Sequence, residues 1–227
     1  MRDEVVAYLV ESSNTLLRTV GEADTIIKAV TAIRECFTKG GKVLLCGNGG
    51  SAADCQHLAA EWMGVMGQAT YPRPAIALTT DTSFLTAWSN DRDYQGVFER
   101  QIWAIGKAGD VLLAISTSGN SANVARAVWE AKERGLTTIL LTGRKPVSGA
   151  FDHVIRVPSE DTQHIQEAHI AIGHLLCLLT KAQPVEAPVV SQTYQEAFTE
   201  KYNRSRDLGW DHDEAVRRAT HEAAHYQ

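Results

Sequence analysis

A chain of 227 residues with 44% apolar and 22% charged side chains has the balance of an ordinary globular protein, with room for one sizeable domain and an appendage. Its net charge of −5 argues against a general nucleic-acid binder, yet allows an anionic ligand held by local backbone donors. No apolar run is long enough to span a bilayer, and the charged opening Met1-Arg2-Asp3-Glu4 is unlike a signal peptide. Cys36, Cys46, Cys55 and Cys177 form no CxxC pair and read as reduced thiols, so a cytoplasmic location is expected.

Residues 1–39 read as two helices. Val5, Val6, Leu9, Leu16, Leu17 and Val20 recur at helical spacing, and Ile26, Ile27, Val30, Ile33 and Phe37 do the same. After Gly40-Gly41 the run 42–46 has strand length and is stopped by Gly47-Asn48-Gly49-Gly50; Ser51 is placed to cap a helix reaching about Met66. Residues 75–78 read as a strand, 83–106 as mainly helical, 111–115 as a strand and 123–134 as a helix. Two more strands, 137–141 and 153–157, precede a long helix over about 162–182. Strands separated by helices predict an α/β three-layer sandwich: a central, mostly parallel five-stranded sheet with a helical N-terminal arm. This domain is expected to span residues 1–183, followed by a Pro184–Pro188 linker and a polar, helical extension that completes residues 184–227 and is broken at Gly209.

The strongest chemical signal is a pair of loops, each between a buried strand and a helix: Gly47-Asn48-Gly49-Gly50-Ser51 and Ser116-Thr117-Ser118-Gly119-Asn120-Ser121. Glycines let backbone approach a ligand, and a helix start offers unpaired N–H groups with a positive dipole end. Hydroxyls of Ser116, Thr117, Ser118 and Ser121 add neutral donors, so the pair suits a phosphate monoester without Lys or Arg. Gly47-x-Gly49-x-x-Ala52 also satisfies the dinucleotide fingerprint, but no acidic residue ends the next strand, and Asp81 lies too far along. His57 and Glu61, spaced i, i+4, share one helix face near the first loop.

GNGGS after the first strand, HxxxE in the next helix, Asn90-Asp91, STSGNS, and Ile165-Gln166-Glu167 followed by His174 together resemble the phosphoheptose isomerases of the SIS (sugar isomerase) fold, a flavodoxin-like architecture. The resemblance covers about residues 1–183. It implies isomerisation of sedoheptulose 7-phosphate to D-glycero-D-manno-heptose 7-phosphate through an enediol. It implies substrate contacts from Asn48, Gly49, Gly50, Ser51, Glu61, Asn90, Asp91 and Gln166, and a phosphate grip from Ser116, Thr117, Ser118 and Ser121. It also implies one zinc ion per subunit on His57, Glu61, Gln166 and His174, and a homotetramer with sites at subunit interfaces. Where many members carry Arg or Asp just before IQE, this chain has Gln163-His164, which leaves the exact sugar open.

Gln166 and His174 are eight residues apart, about 12 Å along a helix, so a neighbouring protomer is expected to complete the site. Catalysis is assigned to Glu61 as base and His174 as its acid–base partner. A carboxylate tightly bound to metal is a poor base, so either ligands exchange or one of the two is not a ligand. Two rivals stand: a non-catalytic SIS regulator resembling a bacterial replication-initiator-associated protein, which lacks counterparts of Glu61 and His174, and an isomerase of another phosphosugar. His221-Glu222-Ala223-Ala224-His225 fits the HExxH protease pattern but leaves no downstream third ligand.

Overall fold

The computed structural model describes residues 1–66, 71–147 and 149–181, and residues 200, 201, 203, 204, 207–211 and 214. The chain divides into two compact units, Met1–Gln183 and Pro184–Gln227. In the second, residues 200, 201, 203, 204 and 207 are helical, and Gly209 takes a positive φ of 84°. The Pro184–Pro188 linker and the HExxH-like end lie outside the described residues.

In the first unit five strands form one parallel sheet in the order β2-β1-β3-β4-β5: β1 Val43–Gly47, β2 Ala75–Ala77, β3 Val111–Ile115, β4 Thr137–Thr142 and β5 His153–Arg156. Every residue of β1 and β3 is buried, which explains their unbroken apolar runs: a parallel sheet covered on both faces has no polar side. Val43 and Leu45 face one way, against α2 (Ala23–Thr38), α3 (Gly50–Met63) and α7 (Thr162–Lys181). Leu44 and Cys46 face the other, against α5 (Val97–Ile105) and α6 (Ala122–Glu133). The expected three-layer α/β sandwich is the observed one.

Two local expectations differ. The stretch 83–106 is two helices, α4 (Thr82–Asp91) and α5, separated by a short turn in which Asp93 Oδ1 accepts from the Gly96 N–H at 2.7 Å. Periodicity ran through that break because Asp93 caps a turn without interrupting the apolar spacing. Ser51 does not cap α3; the N-cap is Gly49, and Ser51 is buried in the first turn.

The N-terminal helix α1 (Arg2–Thr19) lies against α7 through its polar side. Tyr8 and Ser12 donate to the two oxygens of Glu167 at 2.7 and 2.6 Å, and Thr15 is fully buried. Val5, Val6, Leu9, Val10, Leu17 and Val20 are exposed. The apolar stripe read from the sequence is real, but in a single chain it faces outward.

Candidate active site

β1 and β3 are neighbours with Gly47 opposite Ile115, so the loops that follow them emerge side by side at the carboxyl edge of the sheet. This is where the strand order reverses, the point at which ligands settle on open parallel sheets. A Cβ at Gly47 would lie 2.9 Å from two backbone oxygens, those of Ile115 and Ser51, so only glycine lets the first loop turn this close to β3. Gly49 and Gly119 take positive φ values of 56° and 67°, which other residues adopt at a cost. Neither Gly49 nor Ser121, the N-cap residues of α3 and α6, offers a side-chain cap, so backbone N–H groups at both helix starts are left for an anion. Asp81, by contrast, caps α4 by accepting from the Phe84 N–H at 2.9 Å, which engages the one acid the dinucleotide reading had considered. In the second loop Ser116 and Ser121 bring their Oγ atoms to 3.2 Å, and the Gly143 N–H ties the loop to the end of β4 through the Thr117 carbonyl at 3.1 Å.

Helices α3 and α7 run parallel and in close register. A Cβ at Gly50 would meet Gln166 Nε2 at 2.5 Å, and one at Gly173 would meet Leu58 Cδ1 at 2.5 Å. Further along, the Trp62 indole N–H donates to Thr180 Oγ1 at 2.9 Å, and Lys181 Nζ donates to the Glu61 carbonyl at 2.9 Å. Between these contacts the imidazoles meet: His57 Nε2 and His174 Nε2 are 2.8 Å apart, and His57 Nε2 is 3.8 Å from Glu61 Oε1. At that distance a hydrogen bond joins the two rings, its donor set by which tautomer each adopts. The His57 side chain is 48% exposed and that of Glu61 25%, which leaves the group open to a ligand.

Zinc takes imidazole nitrogens and carboxylate oxygens, so these donors fit it in kind. Among the described residues no three His, Cys, Asp or Glu side chains stand as a finished metal cluster. Two nitrogens on one tetrahedral zinc lie roughly 3.3 Å apart, so the imidazole pair would part by about half an ångström to admit it.

An SIS-domain family model matches residues 7–143. The phosphoheptose isomerase of Rhodospirillum rubrum is 47% identical over 183 residues, covering 80% of this chain and 97% of that protein. The phosphoheptose isomerase of Maridesulfovibrio salexigens is 56% identical over 156 residues, covering 68% of this chain and 76% of that one. The solved phosphoheptose isomerase of Neisseria gonorrhoeae superposes with a TM-score of 0.74 at 41% identity, over 80% of this chain and 99% of the other. The chain belongs to the phosphoheptose isomerases. Like them, it is an isomerase of the SIS fold.

Of the residues this phosphoheptose isomerase was expected to use, the structure gathers His57, Glu61 and His174 into one group and lays Gln166 against the first loop. Ser116 and Ser121 stand together in the second loop, with Thr117 and Ser118 between them. Asn90 and Asp91 are exposed at the end of α4, where Asn90 Nδ2 donates to Asp91 Oδ1 at 3.0 Å, and no hydrogen bond joins either side chain to the loops. The departure at Gln163-His164 resolves into two roles. Gln163 is exposed; His164 is buried, with Nδ1 3.1 Å from Glu167 Oε2 and its ring 4.6 Å from that of Tyr8. His164 therefore belongs to the α1–α7 contact. Hydrogen bonds from Ser12 and Tyr8 hold the Glu167 carboxyl below the usual carboxylate range. Sequence reasoning missed Asn123 and Tyr94, both bonded to Asn48. No spacing rule points from residue 48 to either.

Proposed function

We propose that the protein interconverts sedoheptulose 7-phosphate and D-glycero-D-manno-heptose 7-phosphate, working in the cytoplasm as a homotetramer with one zinc ion per subunit. The observation that carries the reading is the meeting of His57, Glu61 and His174 across α3 and α7, with α3 itself rising from one of the two helix starts that their N-cap residues leave uncapped. A phosphoryl group fits the helix starts, and the reacting carbons then fall near the imidazole and carboxylate groups.

The reaction needs no outside oxidant. A base takes the proton from C1 of the ketose, its electron pair forms the C1–C2 double bond, and the C2 oxygen gains a proton to give the enediol. Loss of the O1 proton and return of a proton to C2 complete the aldose. Glu61 is the base that takes the proton from C1 and, after exchange with solvent, delivers one to C2. His174 is its acid–base partner and serves the two oxygens. His57, Glu61, Gln166 and His174 would hold zinc, which when bound polarises the C1 and C2 oxygens. Glu61 can abstract a proton only with a free lone pair, so its two roles belong to different moments of the cycle.

No helix among the described residues is long and apolar enough to cross a membrane, which agrees with a cytoplasmic enzyme. The outward apolar face of α1 supports the tetramer.

Incubating the protein with sedoheptulose 7-phosphate and zinc in deuterated water should yield an aldose bearing deuterium at C2, read by NMR. Glu61→Gln should keep substrate affinity and lose at least about a hundredfold in kcat. Full activity in that variant would remove Glu61 as base; no turnover of any phosphosugar by the unaltered protein would overturn the whole proposal.

A further inference from the structure

Asn48 and Asn123 form a reciprocal amide pair between the first loop and the helix that follows the second. From it we infer that Asn123 is a positioning residue that makes Asn48 present a hydrogen-bond donor, and no acceptor, to the substrate. The inference rests on the isomerase reading of the same site.

Asn123 is 4% exposed in the first turn of α6. Its Oδ1 accepts from the Val124 backbone N–H at 3.0 Å, and this decides which end of the amide is oxygen. The rest follows from that one backbone donor. Asn48 Nδ2 donates to the same Oδ1 at 2.9 Å, and Asn123 Nδ2 donates back to Asn48 Oδ1 at 2.8 Å. Tyr94 Oη donates to Asn48 Oδ1 as well, at 3.3 Å.

An amide oxygen has two lone pairs and its nitrogen two hydrogens. Both lone pairs of Asn48 Oδ1 are engaged, by Asn123 and by Tyr94, and so is one of its two N–H groups. A single N–H is left over. Asn48 sits directly before the glycines of the first loop and is only half-buried, so that N–H is available to a bound ligand. It suits a phosphoryl oxygen or a sugar oxygen acting as acceptor. Released from Asn123, the amide is free to rotate and offer its oxygen instead, which repels a phosphoryl group. Asn123 thus converts an ambivalent side chain into a committed one, using a backbone donor of α6 as reference.

The test is a double-substitution cycle at 48 and 123, read as KM and kcat for sedoheptulose 7-phosphate beside the thermal midpoint of each protein. Asn123→Ala in the unaltered background should raise KM about three- to tenfold, the worth of one or two hydrogen bonds, with kcat within about twofold. In an Asn48→Ala background the same change should move KM by less than about twofold, because its target is gone. Tyr94→Phe should raise KM by a smaller factor than Asn123→Ala. If Asn123→Ala proves unfolded, Asn123→Ser serves in its place, since its short hydroxyl does not span to Asn48. An unchanged KM with a lowered thermal midpoint would reduce Asn123 to a structural residue, and an equal KM effect in both backgrounds would show that it does not act through Asn48. Either result overturns the inference while leaving the isomerase reading intact. Failure of the unaltered protein to turn over the substrate would instead strike at that reading.

Discussion

His169 lies fully buried on α7 between Gln166 and His174, and neither of its ring nitrogens completes a hydrogen bond. Burial lowers its pKa to about 4, a shift the nearby Thr142 backbone only partly offsets. The unfolded chain, with an ordinary value near 6.5, takes up a proton as pH falls from about 6.5 to 4, and the folded protein does not. Stability from this group is therefore complete above pH 6.5 and declines through that window, by about 2 kcal/mol between pH 7 and 5. Denaturant unfolding at the two pH values should show His169→Leu losing less stability than the unaltered protein. At pH 7 the variant should be close to neutral, since an apolar side chain of similar size orphans no polar atom. An equal pH dependence in the two proteins would show that His169 is not the titrating group.

Helices α3 and α7 form the frame on which the proposed chemistry is mounted. Each supplies groups that periodicity alone can place on a face, but their meeting depends on how closely the two axes approach. Gly173 sets that distance at one point, for a Cβ there would press on Leu58, itself fully buried and unable to swing away. Gly173→Ala should cost about 1–3 kcal/mol of stability. Because it lies next to His174, the change should also lower kcat more than it raises KM. Adding Leu58→Ala should restore part of both, by giving the new methyl group its space. Unchanged activity in the single variant would show that the His57–His174 separation tolerates a wider helix pair. Gly47 plays the corresponding part between β1 and β3, with backbone oxygens as its neighbours, so no second substitution can relieve a side chain there.

In the first unit as a single chain, α1 turns polar residues inward and apolar ones outward, the reverse of an ordinary surface helix. Leu9 and Leu17 are 62% and 66% exposed, and Val5, Val6 and Val20 extend the same apolar surface. Such a patch suits burial under another protein surface, and in the proposed tetramer a second copy of the same helix would cover it. Replacing Leu9 and Leu17 together by Glu should yield smaller species in sedimentation velocity, with the first unit still folded by circular dichroism. An unchanged sedimentation coefficient would place the interface elsewhere.

Much of this architecture is written locally. The all-apolar runs of β1 and β3 announce strands buried on both sides, the glycine and serine loops after them mark strand-to-helix turns, and His57 with Glu61 marks one shared helix face. These signals are short-range, set by backbone sterics and by periods of two and 3.6 residues. Other features have no local signature. The break at Asp93 hides within a continuing apolar period, and Asn123 reads as an ordinary first-turn residue until Asn48 is placed against it. His57 and His174 are separated by 117 positions, and nothing between them encodes the parallel register of their helices. That register comes from packing: Gly50 against Gln166, Leu58 against Gly173, Trp62 against Thr180. Long-range contacts of this kind are chosen by shape and close packing in three dimensions, which a one-dimensional pattern does not carry.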